Sequence, residues 1–198
     1  MTKQKIKLVL LMLLFLVPPA AAYLLFYLDF RPAGGANYGG LVDPAQPVKD
    51  DTGLKTLDGG EFRFRENERK WTLLFLGDPD CDDNCEKNLY KIQQVRLTQE
   101  KNMGRVRSVV VLPADTPSTE IEGIRGAYPG IIIVLAQAGV YAGLVAQFRN
   151  GDDPNLQGAG RVYIVDPIGN IMMSYKRRAD AGGMKKDLKR LLRISQLG

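Results

Sequence analysis

Cys81 and Cys85 are the only two cysteines in the chain, and no histidine accompanies them. They stand in Asp-Cys-Asp-Asp-Asn-Cys-Glu, directly after a nearly unbroken apolar run over 71–76. Residues four apart on one helical turn bring their Cα atoms near the disulfide range of about 4.4–6.8 Å. The same pair, reduced, could hold one soft ion such as Cu(I) between two thiolates. A disulfide closing so short a loop constrains the unfolded chain little, so stability alone is a weak reason for it. Cys81 and Cys85 are therefore the candidate catalytic residues and also the candidate metal ligands.

The flanking charges narrow the chemistry. A strand opening into a helix presents unpaired backbone N–H groups, which favour a thiolate. Asp78, Asp80, Asp82, Asp83 and Glu86 oppose that effect, and Lys87 alone counters them. Such an acidic setting fits a mild reductant or a metal-receiving site better than a strong oxidant. The plainer alternative is a solvated loop whose Asp or Asn caps a helix. The absence of histidine excludes His-based triads, His general bases and His metal ligands together. Net charge is +5, with the excess concentrated at Lys3, Lys5 and Lys7 and over 176–193. No basic patch interleaved with aromatics lies between, so nucleic acid is not an expected partner.

The elements that must position the pair follow from periodicity. Residues 54–57 and 61–64, joined by Asp58-Gly59-Gly60, read as a small hairpin. The runs 71–76 and 106–112 suit buried central strands. A helix is expected over 84–98, with Leu89, Ile92 and Val95 on its apolar side. Shorter helices are expected over 119–128 and 138–148, and strands over 131–135, 161–165 and 171–175. Asp166–Asn170 is the turn of a second hairpin. The closing helix, over 182–192, shows Met184, Leu188, Leu191 and Leu192 on one face and basic residues on the other. Trp71, Tyr163, Met172 and Met173 are expected in the packing. Alternating strands and helices predict an α/β fold: a thioredoxin-like central sheet flanked by helices.

The N-terminus predicts location. Residues 8–28 form a charge-free run of 21 residues, and a bilayer core needs about 20. Three lysines before the run keep the N-terminus cytoplasmic. A cleaved signal peptide ending at Ala20-Ala21-Ala22 is the competing reading; the apolar run continues to Leu28, which favours a retained anchor. The expected organisation is a cytoplasmic N-terminus over 1–7, a transmembrane helix over 8–28 and a Gly/Pro-rich linker over 29–51. A thioredoxin-like domain over 52–198 follows. Export places the cysteines where disulfides persist.

The order strand, Cys81-x-x-x-Cys85, helix, together with Val162-Tyr163-Ile164-Val165-Asp166-Pro167-Ile168-Gly169-Asn170 and the anchor, resembles the Sco/SenC proteins. Those are membrane-anchored thioredoxin-fold factors that deliver copper to the CuA site of cytochrome c oxidase or reduce its cysteines. Asn37–Leu41 and Leu89–Arg96 resemble a bacterial subgroup of small transmembrane proteins associated with oxidase assembly. The resemblance implies a single-pass protein of the bacterial inner membrane with a periplasmic domain. It implies cytochrome c oxidase or its assembly factors as partner, and a role as thiol–disulfide factor, Cu(I) chaperone or non-catalytic assembly scaffold. Copper is the one cofactor it implies. Two departures stand out. The family's copper-binding histidine falls near Gln157 to Gly160, where this chain has none, and Glu86 replaces the proline after the second cysteine. The missing histidine ranks redox work above copper delivery.

Overall fold

The computed structural model describes residues 3–28, 37–49, 53–65, 69–148 and 160–195. The chain divides into two units, Met1–Ala36 and Asn37–Gly198. The first holds helix α1 (Lys3–Tyr27), 25 residues long and continuous through Pro18 and Pro19. Its length and apolar composition suffice to cross a membrane.

The second unit is built on strands β1 (Gly40–Pro47), β2 (Leu54–Thr56), β3 (Trp71–Leu76), β4 (Val106–Pro113), β5 (Ile131–Ala136), β6 (Val162–Val165) and β7 (Asn170–Tyr175). Helices α2 (Asp83–Leu97), α3 (Ser118–Ala127), α4 (Ala138–Gln147) and α5 (Ala181–Ile194) connect or follow them, and a short 3-10 helix (Glu100–Arg105) leads into β4. The seven strands form one sheet in the order β1-β7-β6-β3-β4-β5-β2. β3, β4 and β5 run parallel; β6 is antiparallel to β3, and β7 is antiparallel to β6. This is the expected α/β, thioredoxin-like arrangement.

Both sheet faces are covered, which is why the central strands read as apolar runs rather than as alternating ones. Trp71, Leu73 and Phe75 of β3 join Val110 and Leu112 of β4 beneath α2 and α5, meeting Leu89, Ile92, Met184 and Leu188. Leu74, Val109, Val111 and Tyr163 point to the other face, against Tyr141, Leu144 and Phe148. Met173 is buried in the first of these clusters and Met172 packs at its margin, so both methionines serve packing, as expected.

Two expectations are corrected. Residues 40–47, read as part of a linker, form edge strand β1, paired antiparallel with β7 across an irregular register between Leu41 and Gln46. Its Gly and Pro content hid it, because those residues weaken strand patterning. The hairpin expected over 54–64 reduces to β2 and one isolated bridge, Lys55 to Glu61. Backbone bonds from Phe62 to the Leu54 carbonyl at 2.8 Å and from Thr56 to the Gly60 carbonyl at 2.9 Å keep it as a short turn, and a buried arginine holds the residues beyond. Arg107 reaches across from β4 and donates to the carbonyls of Arg63 and Phe64, each at 3.0 Å. Its guanidinium also lies 4.7 Å from the centre of the Phe62 ring. Beyond that short pairing, the segment is docked by one cation.

Candidate functional site

The site begins where β3 ends. Gly77 continues the ladder, donating to the Val111 carbonyl at 3.0 Å. A Cβ there would stand 2.7 Å from Leu112 Cδ2, so the position has no room for one. The Gly77 carbonyl accepts from the Tyr141 hydroxyl at 2.6 Å. Burial, with Asp78 nearby, pushes the Tyr141 hydroxyl above its ordinary pKa. This bond fixes the point from which the loop through Asp78 and Asp80 departs.

Asp82 caps the helix that follows. Its carboxylate accepts from the backbone N–H groups of Asn84 at 3.0 Å and Cys85 at 2.9 Å. The same carboxylate lies 3.8 Å from Arg177. Cys85 therefore occupies the first turn of α2 and is only 3% exposed. Cys81, just before the cap, is half-buried. The two form a disulfide with Cα atoms 5.1 Å apart. Cys81 is thus the more exposed partner and Cys85 the sheltered one, which is the asymmetry that exchange chemistry uses. An anion sits on the N–H groups that would otherwise stabilise a Cys85 thiolate, which weakens the helix-terminus effect.

The second turn of α2 meets the chain entering β6. Asn88 is 1% exposed and donates through Nδ2 to the Gly160 carbonyl at 3.0 Å. Gly160 has φ +54°, and a Cβ there would lie 2.2 Å from Asn84 Nδ2. The Tyr128 hydroxyl, raised in pKa by partial burial and by Glu86, donates to the Glu86 carbonyl at 3.2 Å. Gly77, Tyr141 and Asn88 escaped the sequence reading, and Gly160 entered it only as the end of the stretch that lacks a histidine. A glycine closing an apolar run was the one available signal.

A three-ligand copper site does not fit these residues. Gly160 offers no side chain as a third donor, and a Cβ there would meet the amides of Asn84 and Asn88. Among the described residues, no group of three or more Cys, Asp or Glu converges on a common point. Of positions 157 to 160, where the family resemblance places the missing histidine, only Gly160 lies within the described residues.

Residues 71–195 match the family described as the transmembrane-like, thioredoxin-like, C-terminal domain. The chain belongs to this family. No curated protein matches it by sequence. Several solved structures share its fold. Yeast Sco1 aligns with a TM-score of 0.60 at 16% identity, over 79% of this chain and 98% of the yeast chain. Arabidopsis thaliana ScoI with copper bound gives 0.58 at 16% identity, over 80% and 99%. BsSco, described as a Sco-family cytochrome c oxidase assembly protein with a disulfide switch, gives 0.58 at 12% identity, over 77% and 96%. The family's thioredoxin-like domain is therefore a Sco-like fold, and here it follows a helix of membrane-spanning length.

Proposed function

We propose that this family member is a single-pass thiol–disulfide factor for cytochrome c oxidase assembly, its domain facing the periplasm from a bacterial inner membrane. The carrying observation is the asymmetric disulfide at the β3–α2 junction, with Cys81 the more exposed partner and Cys85 buried. In the working direction, the reduced Cys81 thiolate attacks a disulfide of the partner's copper-site cysteines and forms a mixed disulfide. One partner sulfur leaves as a thiolate and takes a proton. The Cys85 thiolate then attacks Cys81, closing the intramolecular disulfide and releasing the second partner thiolate. The partner gains two electrons and two protons, and this chain loses the same. The oxidised pair is the product state, and a dithiol reductant returns it to the reduced dithiol, becoming a disulfide itself. The acid-capped helix start, which does not favour a thiolate, suits donation of electrons better than their removal.

The test is trapping in membranes with the full chain. Cys85→Ser leaves Cys81 to form a mixed disulfide that cannot resolve, so an adduct with an oxidase subunit is expected. Cys81→Ser is expected to give none. Full oxidase assembly by the double serine variant would show a scaffold instead. An anaerobic Cu(I) titration sets copper delivery against this reading: tight one-to-one binding lost in the double variant would make the pair a two-sulfur carrier of copper as cargo.

A further inference from the structure

Beside the acidic stretch around the cysteines, a cleft of about 470 Å³ is lined by Asp83, Asn84, Lys87 and Lys91 of α2 and by Arg177 and Arg178 of the turn before α5. Four cations thus face one carboxylate in the cleft wall. Lys87 and Lys91 are one turn apart, an arrangement that by itself disfavours the helix. Lys91 is held in place: its Nζ donates to the Arg177 carbonyl at 2.9 Å and to Asn88 Oδ1 at 3.3 Å. Its pKa is lowered first by burial and also by Lys87, with Asp180 acting the other way. Among the described residues, the Arg177 guanidinium makes a long 3.8 Å ion pair with Asp82. Among the described residues, Lys87 and Arg178 have no ion-pair partner.

A solvated basic face needs no cleft and would keep its lysines extended in water. Here a half-buried lysine bridges two elements and holds like charges together, next to the turn that carries Cys85. An anion in the cleft relieves that repulsion. An occupant coupled to the redox pair has to bring sulfur as well as negative charge, which a lipid headgroup does not.

We infer that this cleft is the docking groove for an acidic segment of the protein that exchanges with Cys81 and Cys85. Asp and Glu side chains of that segment sit among Lys87, Lys91, Arg177 and Arg178. This rests on the exchange role proposed above and adds the partner's charge to it.

The test uses the full chain in nanodiscs of zwitterionic lipid and a fluorescent peptide rich in Asp and Glu that carries no cysteine. Binding is read by anisotropy at ~10 mM and ~150 mM salt, where the screening length falls from about 30 to 8 Å. K87E/R178E is expected to weaken binding by about tenfold or more at low salt, with K87Q/R178Q intermediate if the charge reversal impairs folding. K189E/R193E, on exposed positions of α5, is the control for diffuse charge and is expected to change binding less than about twofold. Equal losses in both variants, or no binding, would overturn the inference. So would anionic vesicles, but not the peptide, binding through Lys87 and Arg178. Reduction of the pair by dithiothreitol is scored separately. An inert disulfide with intact peptide binding would remove the exchange role and leave the cleft standing.

Discussion

The root of the domain and the redox loop both meet a helix on the same side of the sheet, yet they are built differently. At the root, Asp187 of α5 is 2% exposed, and one of its oxygens accepts three bonds. The donors are the backbone N–H groups of Tyr38 and Gly39, each at 2.9 Å, and the Tyr175 hydroxyl at 3.0 Å. Burial, then the Asp187 charge, pushes the Tyr175 hydroxyl far above its ordinary pKa. Two glycines complete the fit: a Cβ on Gly39 would lie 2.6 Å from the Tyr175 ring, and one on Gly183 would lie 2.7 Å from Tyr38. Among the described residues, the redox loop is held by a carboxylate cap, a long ion pair and a covalent bond, with hydrogen bonds to its flanks at Gly77 and Glu86. The root is held by many mutually dependent contacts, so it cannot change without loss. The loop has few, so its one covalent bond can open and close while the rest of the domain stays folded.

That contrast can be broken at the root first. Asp187→Ala strands buried donors and is expected to cost about 3–5 kcal/mol in denaturant unfolding. Gly39→Ala forces its new methyl group into Tyr175 and is expected to cost about 1–3 kcal/mol. Reducing the disulfide, whose cysteines are separated by four positions, should cost no more than about 2 kcal/mol on the chain-entropy account. A larger loss would mean that the loop is structural after all.

Tyr141→Phe removes the bond to Gly77 and should cost about 1 kcal/mol near neutral pH. It also tests a sign. The Tyr141 pKa is raised in the folded state, so its contribution is complete below the unfolded value of about 10 and falls as pH rises past it. The phenylalanine variant should lose less stability on alkaline titration. The smallest effect sharpens the contrast. Asp82→Asn keeps a capping oxygen and should change stability by only a few tenths of a kcal/mol. It removes a negative charge beside both cysteines, so the thiolate form gains. The reduction potential, measured near pH ~8, should then rise by about 10–30 mV.

Much of this was legible in the chain. The runs of β3 and β4 are apolar because both faces are covered, and such runs announce buried strands. The cysteine pair declared itself by type, spacing and position. What escaped has a common physical origin. Asp187 and Tyr38 are 149 positions apart, and Lys91 meets Arg177 across 86. Neither pairing leaves a periodic trace. The acidic residues near the cysteines are contiguous in sequence and were visible; the opposing cations come from two segments and became a cleft only when α2 and the turn before α5 came together. Strand β1 was hidden by its prolines and glycines, which mark linkers more often than sheet edges.

Those prolines have a consequence for life in a membrane plane. Anchored domains confined to two dimensions meet copies of themselves often, and an open sheet edge is a template for unwanted pairing. β1 lies at one edge with Pro44 and Pro47 in it and an irregular register along it, and β2 at the other edge is three residues long and carries Lys55. Neither edge offers a long, regular row of free amide groups. The same features that disguised the first strand also discourage self-association between neighbouring copies.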